Sequence, residues 1–170
     1  TQPDATTVQE TIEQALTLVA RSPEPIAILG AGRTDAGVHA RGMVAHVDLP
    51  MSPDEARQLI YRTDRYLPHD IALYDIRPVR EEAHARFSAT SRTYRYYVTL
   101  RKDPFQEARM LRLYFPLDFD RMNEAAERLK DFSDFTSFSK LHTDVKTNNC
   151  RVTEAYWQAG VEEGQWIFTI

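Results

Sequence analysis

The chain has 170 residues, enough to bury a sizeable core as one domain or as two small ones. With 42% hydrophobic and 27% charged residues, and only 6 Gly and 9 Pro, it reads as an ordinary globular protein, which excludes fibrous and disordered classes. The net charge of -4 argues weakly against a nucleic-acid partner, but the charges are unevenly placed: nine of the 21 Lys and Arg lie between Arg77 and Arg112, with only four of the 25 Asp and Glu. Such a stripe fits a phosphate footprint and fits equally a solvated strand face.

Further classes fall away quickly. No apolar run approaches the roughly 20 residues needed to span a bilayer, and Thr1-Gln2-Pro3-Asp4 has neither the basic end nor the apolar stretch of a signal peptide, so a cytoplasmic address without membrane contact is expected. Cys150 is alone, leaving no internal disulfide and no cysteine cluster for zinc. His39, His46, His69, His84 and His142 show no ligand spacing, so no metal is expected.

In chain order, Val8, Ile12, Ala15, Leu16 and Val19 recur at helical spacing until Ser22-Pro23-Glu24-Pro25 breaks the pattern. A short apolar strand at 26–29 runs into a glycine-rich turn, and Met43, Ala45, Val47 and Leu49 alternate as a half-buried strand. Ser52, Pro53 and Glu55 supply an N-cap, a first-position proline and a capping box for a second helix with Ala56, Leu59, Ile60 and Thr63 inward. Residues 71–76 read as a strand. In the next one, Tyr94, Tyr96, Val98 and Leu100 share one face, while Thr93, Arg95, Tyr97 and Thr99 point away. Another strand is expected at 110–115. Asp118 caps a third helix whose stripe is Met122, Ala125, Ala126 and Leu129, and strands at 152–157 and 165–170 close the chain. The class is α+β, a largely antiparallel sheet with helices on one face, and no linker marks a boundary within residues 1–170. The opening helix and the abrupt apolar end, Trp166-Ile167-Phe168-Thr169-Ile170, read as a fragment.

The turn Gly30-Ala31-Gly32-Arg33-Thr34-Asp35-Ala36-Gly37 can approach a ligand closely because glycine permits backbone contacts that a side chain blocks. It lacks the Lys-Ser/Thr of a Walker loop, and Asp35 stands where a dinucleotide fingerprint needs glycine. By residue type alone, Asp35 is either an acid-base or nucleophilic group or the side chain of an Asx turn.

The run Gly32-Arg33-Thr34-Asp35-Ala36-Gly37-Val38-His39-Ala40 resembles the signature of the TruA family of tRNA pseudouridine synthases. Later segments match in the same order: Tyr66-Leu67-Pro68, His84-Ala85-Arg86-Phe87-Ser88-Ala89 leading into Arg92-Thr93-Tyr94-Arg95-Tyr96, and Asp134-Phe135-Thr136-Ser137-Phe138. The resemblance covers essentially the whole chain, without the family's usual first strand or the C-terminal part that bears a basic partner for the catalytic aspartate. It implies a pseudouridine synthase type of fold. The implied activity is isomerisation of uridine to pseudouridine at positions 38 to 40 of the tRNA anticodon stem-loop, with no cofactor, by a homodimer. It also implies Asp35 as the catalytic group, Arg33 filling the helix gap or holding phosphate as the base flips, Tyr94 stacking on uracil, and Arg86, Arg92 and Arg95 as RNA contacts. A paired uridine hides its reacting atoms, so extrusion and a replacement for lost stacking are physically required. One position departs from the pattern: Asp64 stands where the family usually has Asn.

A non-catalytic RNA-binding module is the competing expectation, since an antiparallel sheet with aromatics and Arg on one strand also serves RNA recognition, although the RNP1 pattern is absent. A zinc deaminase is excluded by the single cysteine.

Overall fold

The computed structural model describes residues 6–106, 108–139 and 147–170; the expectations for the first four residues and for His142 lie outside the described residues. Contacts divide the chain into two compact units, Thr1–Thr90 and Ser91–Ile170.

In the first unit, helices α1 (Val8–Ala20) and α2 (Pro53–Tyr66) pack against each other through Ala15 and Leu16 of one and Ala56, Leu59 and Thr63 of the other. Both helices are capped, α2 by the expected capping box and α1 by a residue the pattern did not single out. Thr7 accepts the Glu10 amide at the start of α1, and in α2 Ser52 and Glu55 exchange reciprocal hydrogen bonds, which hold the Glu55 carboxyl below its ordinary range. The two-residue strands β1 (Leu29–Gly30) and β2 (Ala45–His46) pair antiparallel, Leu29 opposite His46 and Gly30 opposite Ala45. This ladder is shorter than the alternation at 43–49 suggests, and Met43 and Ala45 are exposed.

A polar stripe on α1 satisfies backbone groups of residues 26–28. Gln9 Nε2 donates to the Ile28 carbonyl (2.9 Å), Glu13 Oε1 accepts the Ile28 amide (3.0 Å), and Thr17 Oγ1 accepts the Ile26 amide (2.9 Å). Residues 71–76, expected as a strand, form no ladder. Ile71 turns back to Pro68, and the Leu73 amide is taken by Asp64 Oδ1 at 2.7 Å, so the backbone is satisfied by a side chain instead of a strand.

The second unit is a four-stranded sheet in the order β4-β3-β6-β5: β3 (Arg95–Thr99), β4 (Leu111–Arg112), β5 (Tyr156–Ala159) and β6 (Gln165–Thr169). Antiparallel pairing dominates, as expected, and β3 with β4 is the parallel exception. Register puts Tyr96, Phe168 and Trp157 side by side on one face, with Val98, Trp166 and Ala159 in the next row. On that face lies α3 (Phe119–Arg128), capped by Asp118 as expected. Phe119 stacks on Trp166 at 3.6 Å and 7°, and tilts against Trp157 at 5.6 Å. The α3 stripe differs in detail: Ala126 is buried, but Ala125 is exposed, and Phe119 supplies the anchor. Asn123 takes both the amide and the carbonyl of Trp157 (2.6 and 3.1 Å), closing the outer edge of β5.

Burial along β3 follows length more than face. Val98, on the face that α3 covers, and Thr99, on the opposite face, are both buried, whereas Tyr94 and Tyr96 remain 43% and 59% exposed. No helix among the described residues is long and apolar enough to cross a membrane.

Phe119→Ala removes the ring that joins α3 to two tryptophans and should cost about 3 kcal/mol of unfolding free energy in urea. Val161→Ala, at a 95% exposed position, should stay within about 0.5 kcal/mol. Equal effects of the two changes would contradict this account of the core.

Candidate active site

The glycine-rich turn leaves β1 at Gly30. It is tied to β2 once more, by the Ala31 amide donating to the Val44 carbonyl at 2.8 Å, and then runs outward. Residues 32–40 are all exposed. The Asp35 carbonyl accepts the Val38 amide at 3.3 Å, and Gly37 sits at φ +84°, a left-handed conformation that a β-carbon would strain. The chain therefore reverses just after Asp35 and holds it at the tip. Among the described residues, no hydrogen bond or ion pair engages the Asp35 carboxylate or the Arg33 guanidinium. The Asx turn left open by residue type is not formed.

Other aspartates behave differently. In the Asp134-Phe135-Thr136-Ser137-Phe138 segment, Asp134 Oδ1 accepts the Thr136 hydroxyl (2.6 Å) and the Thr136 amide (2.9 Å), starting a short 3-10 turn over Thr136–Phe138. These bonds, the hydroxyl first, hold its carboxyl below the ordinary range. Asp64, the departure from the family pattern, spends its carboxylate on the Leu73 amide. Asp75 is paired with Arg77 at 2.6 Å, which lowers its pKa and occupies one cation of the basic stripe. These are structural carboxylates, and Asp35 is a free one.

Arg86 belongs to the same unit, on a turn over residues 84–88. The Ser88 amide donates to the His84 carbonyl (2.8 Å), and the His84 amide to Ser88 Oγ (3.1 Å). His84 Nδ1 lies within reach of the Arg86 and Phe87 amides (3.2 and 3.3 Å), and the Arg86 guanidinium lies 5.7 Å from the centre of the exposed Phe87 ring. His46, on β2, reaches this turn: its Nδ1 accepts the Ala85 amide at 3.1 Å. Sequence reading did not single out His46, because its partner lies 39 residues away and no spacing announces it.

Tyr94, Arg92 and Arg95 gather in the second unit, at the start of β3. The Tyr94 amide and carbonyl both pair with Ile170 (2.7 and 3.0 Å), so its backbone is fixed while its ring is 43% exposed. Arg95, opposite Thr169, is exposed, as is Arg92. Farther along, Arg101 pairs with Glu163 (2.6 Å) and Arg112 covers the Tyr114 ring at 4.7 Å. The basic stripe is thus shared between the units, and part of it is already engaged. No group of three or more His, Cys, Asp or Glu among the described residues is arranged to hold a metal.

No protein-family model matches the chain. Whole-chain comparison is more informative. The tRNA pseudouridine synthase A of Porphyromonas gingivalis is 58% identical over 171 residues, an alignment covering 100% of this chain and 67% of that protein. That of Parabacteroides distasonis is 55% identical, with 99% and 66% covered, and that of Streptococcus sanguinis 36% identical, with 99% and 68% covered. The chain belongs to the tRNA pseudouridine synthase A family. It spans about two thirds of the length of these curated relatives. Membership makes it part of an enzyme family of isomerases and agrees with the α+β fold. In this member, the Gly32–Ala40 run occupies an exposed reversing loop, and the Asp134 segment a short 3-10 turn whose first residue, Thr136, bonds to the Asp134 carboxylate.

Proposed function

We propose that the protein isomerises uridine to pseudouridine in tRNA, at positions 38 to 40 of the anticodon stem-loop, with Asp35 as the catalytic group. What carries this reading is an aspartate in the family's signature loop whose carboxylate is exposed and not used by its own backbone. The net reaction breaks the bond between uracil N1 and the ribose, forms one from uracil C5 to the same ribose carbon, and moves a proton from C5 to N1. A carboxylate suits it, either by adding to the ribose carbon or by taking the C5 proton. No electrons enter or leave, so the reaction needs no redox cofactor.

The remaining groups have roles that the physics of flipping requires. Arg33, two residues from Asp35 on the same loop, holds backbone phosphate or fills the vacated stack, for which a planar cation is suited. Tyr94 offers an exposed ring on a fixed backbone for stacking on uracil, and Arg86, Arg92 and Arg95 contact phosphates. We further propose a homodimer in which one tRNA touches both protomers, working in the cytoplasm: an acidic protein with a single basic stripe gains binding surface by pairing two copies. The exposed Tyr94 and Tyr96 favour a second reading, a non-catalytic RNA-binding module. Family membership and the free Asp35 weigh against it.

In the full-length protein, Asp35→Asn should keep tRNA affinity within about threefold and lower pseudouridine formation by more than about a hundredfold. Near wild-type turnover would remove Asp35 from the chemistry, and a wild-type protein that binds tRNA without modifying it would favour the module.

Arg33→Ala and Arg92→Ala should each flatten the dependence of log affinity for tRNA on log salt by about 0.7 to 0.9, the mark of one lost phosphate contact. Unchanged slopes would contradict the footprint. Native mass measurement of the full-length protein should give twice the chain mass, and a strict monomer that still modifies tRNA would refute the dimer.

A further inference from the structure

We propose that His46 is a positioning residue: its Nδ1 holds the Ala85 amide and so registers the turn bearing Arg86 against the strands that present the Asp35 loop. This deepens the reading of Asp35 and Arg86 as catalytic and RNA-contacting groups, and rests on it.

The geometry has two ends. At one, His46 is locked into β2, opposite Leu29 of β1, one residue before the glycine from which the Asp35 loop departs. The imidazole is half-buried, and its direction is set by the pleat, so it is a fixed feature of the strand pair. At the other end lies a turn stiffened by its own bonds between His84 and Ser88, by the His84 ring nitrogen beneath two amides, and by the Phe87 ring, 4.4 Å from His84 and tilted by 35°. A stiff turn can be placed by a single well-aimed bond, and the Ala85 amide is adjacent to Arg86. The His84 and His46 rings also meet at 4.7 Å, tilted by 58°, so packing supports the same placement.

The chemistry of the imidazole matters here. An N–H can donate to Nδ1 only when that nitrogen carries no proton, so this bond requires the tautomer with its proton on Nε2. An asparagine places its Oδ1 near the site of Nδ1 and can replace the acceptor, whereas a glutamine carries its oxygen one bond farther out, nearer Nε2, and cannot. The two amides therefore separate the hydrogen bond from mere size and polarity.

Because the Asp35 loop keeps its own support from β1–β2 pairing and from α1, loss of the His46 bond should loosen the Arg86 turn more than the carboxylate. In the full-length protein, His46→Ala and His46→Gln should raise KM for tRNA about tenfold with kcat within about twofold, the scale of one lost hydrogen bond in placing a binding group. His46→Asn should restore KM to within about threefold. A general loss of folding would instead lower kcat through the active fraction, which thermal unfolding checks. Amide exchange at Ala85 reads the same bond without any activity: protection should fall about tenfold in the Ala and Gln variants and persist in Asn. Asn and Gln variants that match in both KM and Ala85 exchange would overturn the proposal, as would a kcat loss with KM unchanged. Were the wild type inactive on tRNA, the proposed function would fail, and the exchange pattern would still decide whether His46 holds the turn.

Discussion

The placement of the Asp35 loop rests largely on backbone groups at residues 26 and 28 finding partners on a helix, beside the short β1–β2 pairing. A two-residue strand pair has too few bonds to hold a chain extended against its conformational entropy, which costs on the order of 1–2 kcal/mol per residue. Gln9 and Glu13 close the carbonyl and amide of Ile28 between them, and Gln9 also donates to Glu13 at 2.9 Å, so the pair forms a small preorganised clamp. Thr17 repeats the device at Ile26. These three side chains lie a helical turn apart, because residues four apart share a face, and α1 is anchored beneath them by Ala15 and Leu16 on α2. The apolar face fixes the helix, the polar face fixes the strand, and the strand aims the loop.

Several carboxylates are engaged in supporting the backbone, and Asp35 is not among them. Asp64, Asp118 and Asp134 each accept a backbone amide, and their loss would leave a donor without its partner. Asp35 does none of this, so nothing in its surroundings explains it as a structural residue. Its exposure belongs to a loop that turns back on a left-handed glycine and keeps its cation, Arg33, on the same projection. Such a loop is costly to keep ordered in isolation, and binding groups are commonly placed on loops held by rigid neighbours.

In the second unit the sheet is anchored at one end and open at the other. Stacking of Phe119 on Trp166 and the Asn123 clamp on Trp157 fix β5, β6 and α3 as one layer, and β3 enters this layer through Val98 and Thr99. The other end of β3 keeps its ladder but lacks cover, which leaves Tyr94, Tyr96 and Arg95 displayed on a fixed backbone. Rigid presentation with exposed rings and cations suits stacking on a base better than a mobile loop would, because little side-chain and no backbone ordering remains to be done on binding.

Much of this was readable from residue order. All three helices, the Ser52-Glu55 capping box and the Asp118 cap follow from local pattern, because helix hydrogen bonds and caps join residues three or four apart. The Asp35 motif was legible for the same reason, being contiguous. The alternation of Tyr96 and Val98 against Arg95 and Tyr97 also appears in the register of β3 with β6. The structure alone decided the rest: that 71–76 lends its amide to Asp64 instead of a strand, that Phe119 anchors α3 while Ala125 faces solvent, that β4 runs parallel to β3, and that His46 meets Ala85. A helix brings its own partners within one turn of chain, whereas a strand, a stacked ring or a ring nitrogen takes its partner from wherever the folded chain delivers one, and no local spacing encodes that delivery.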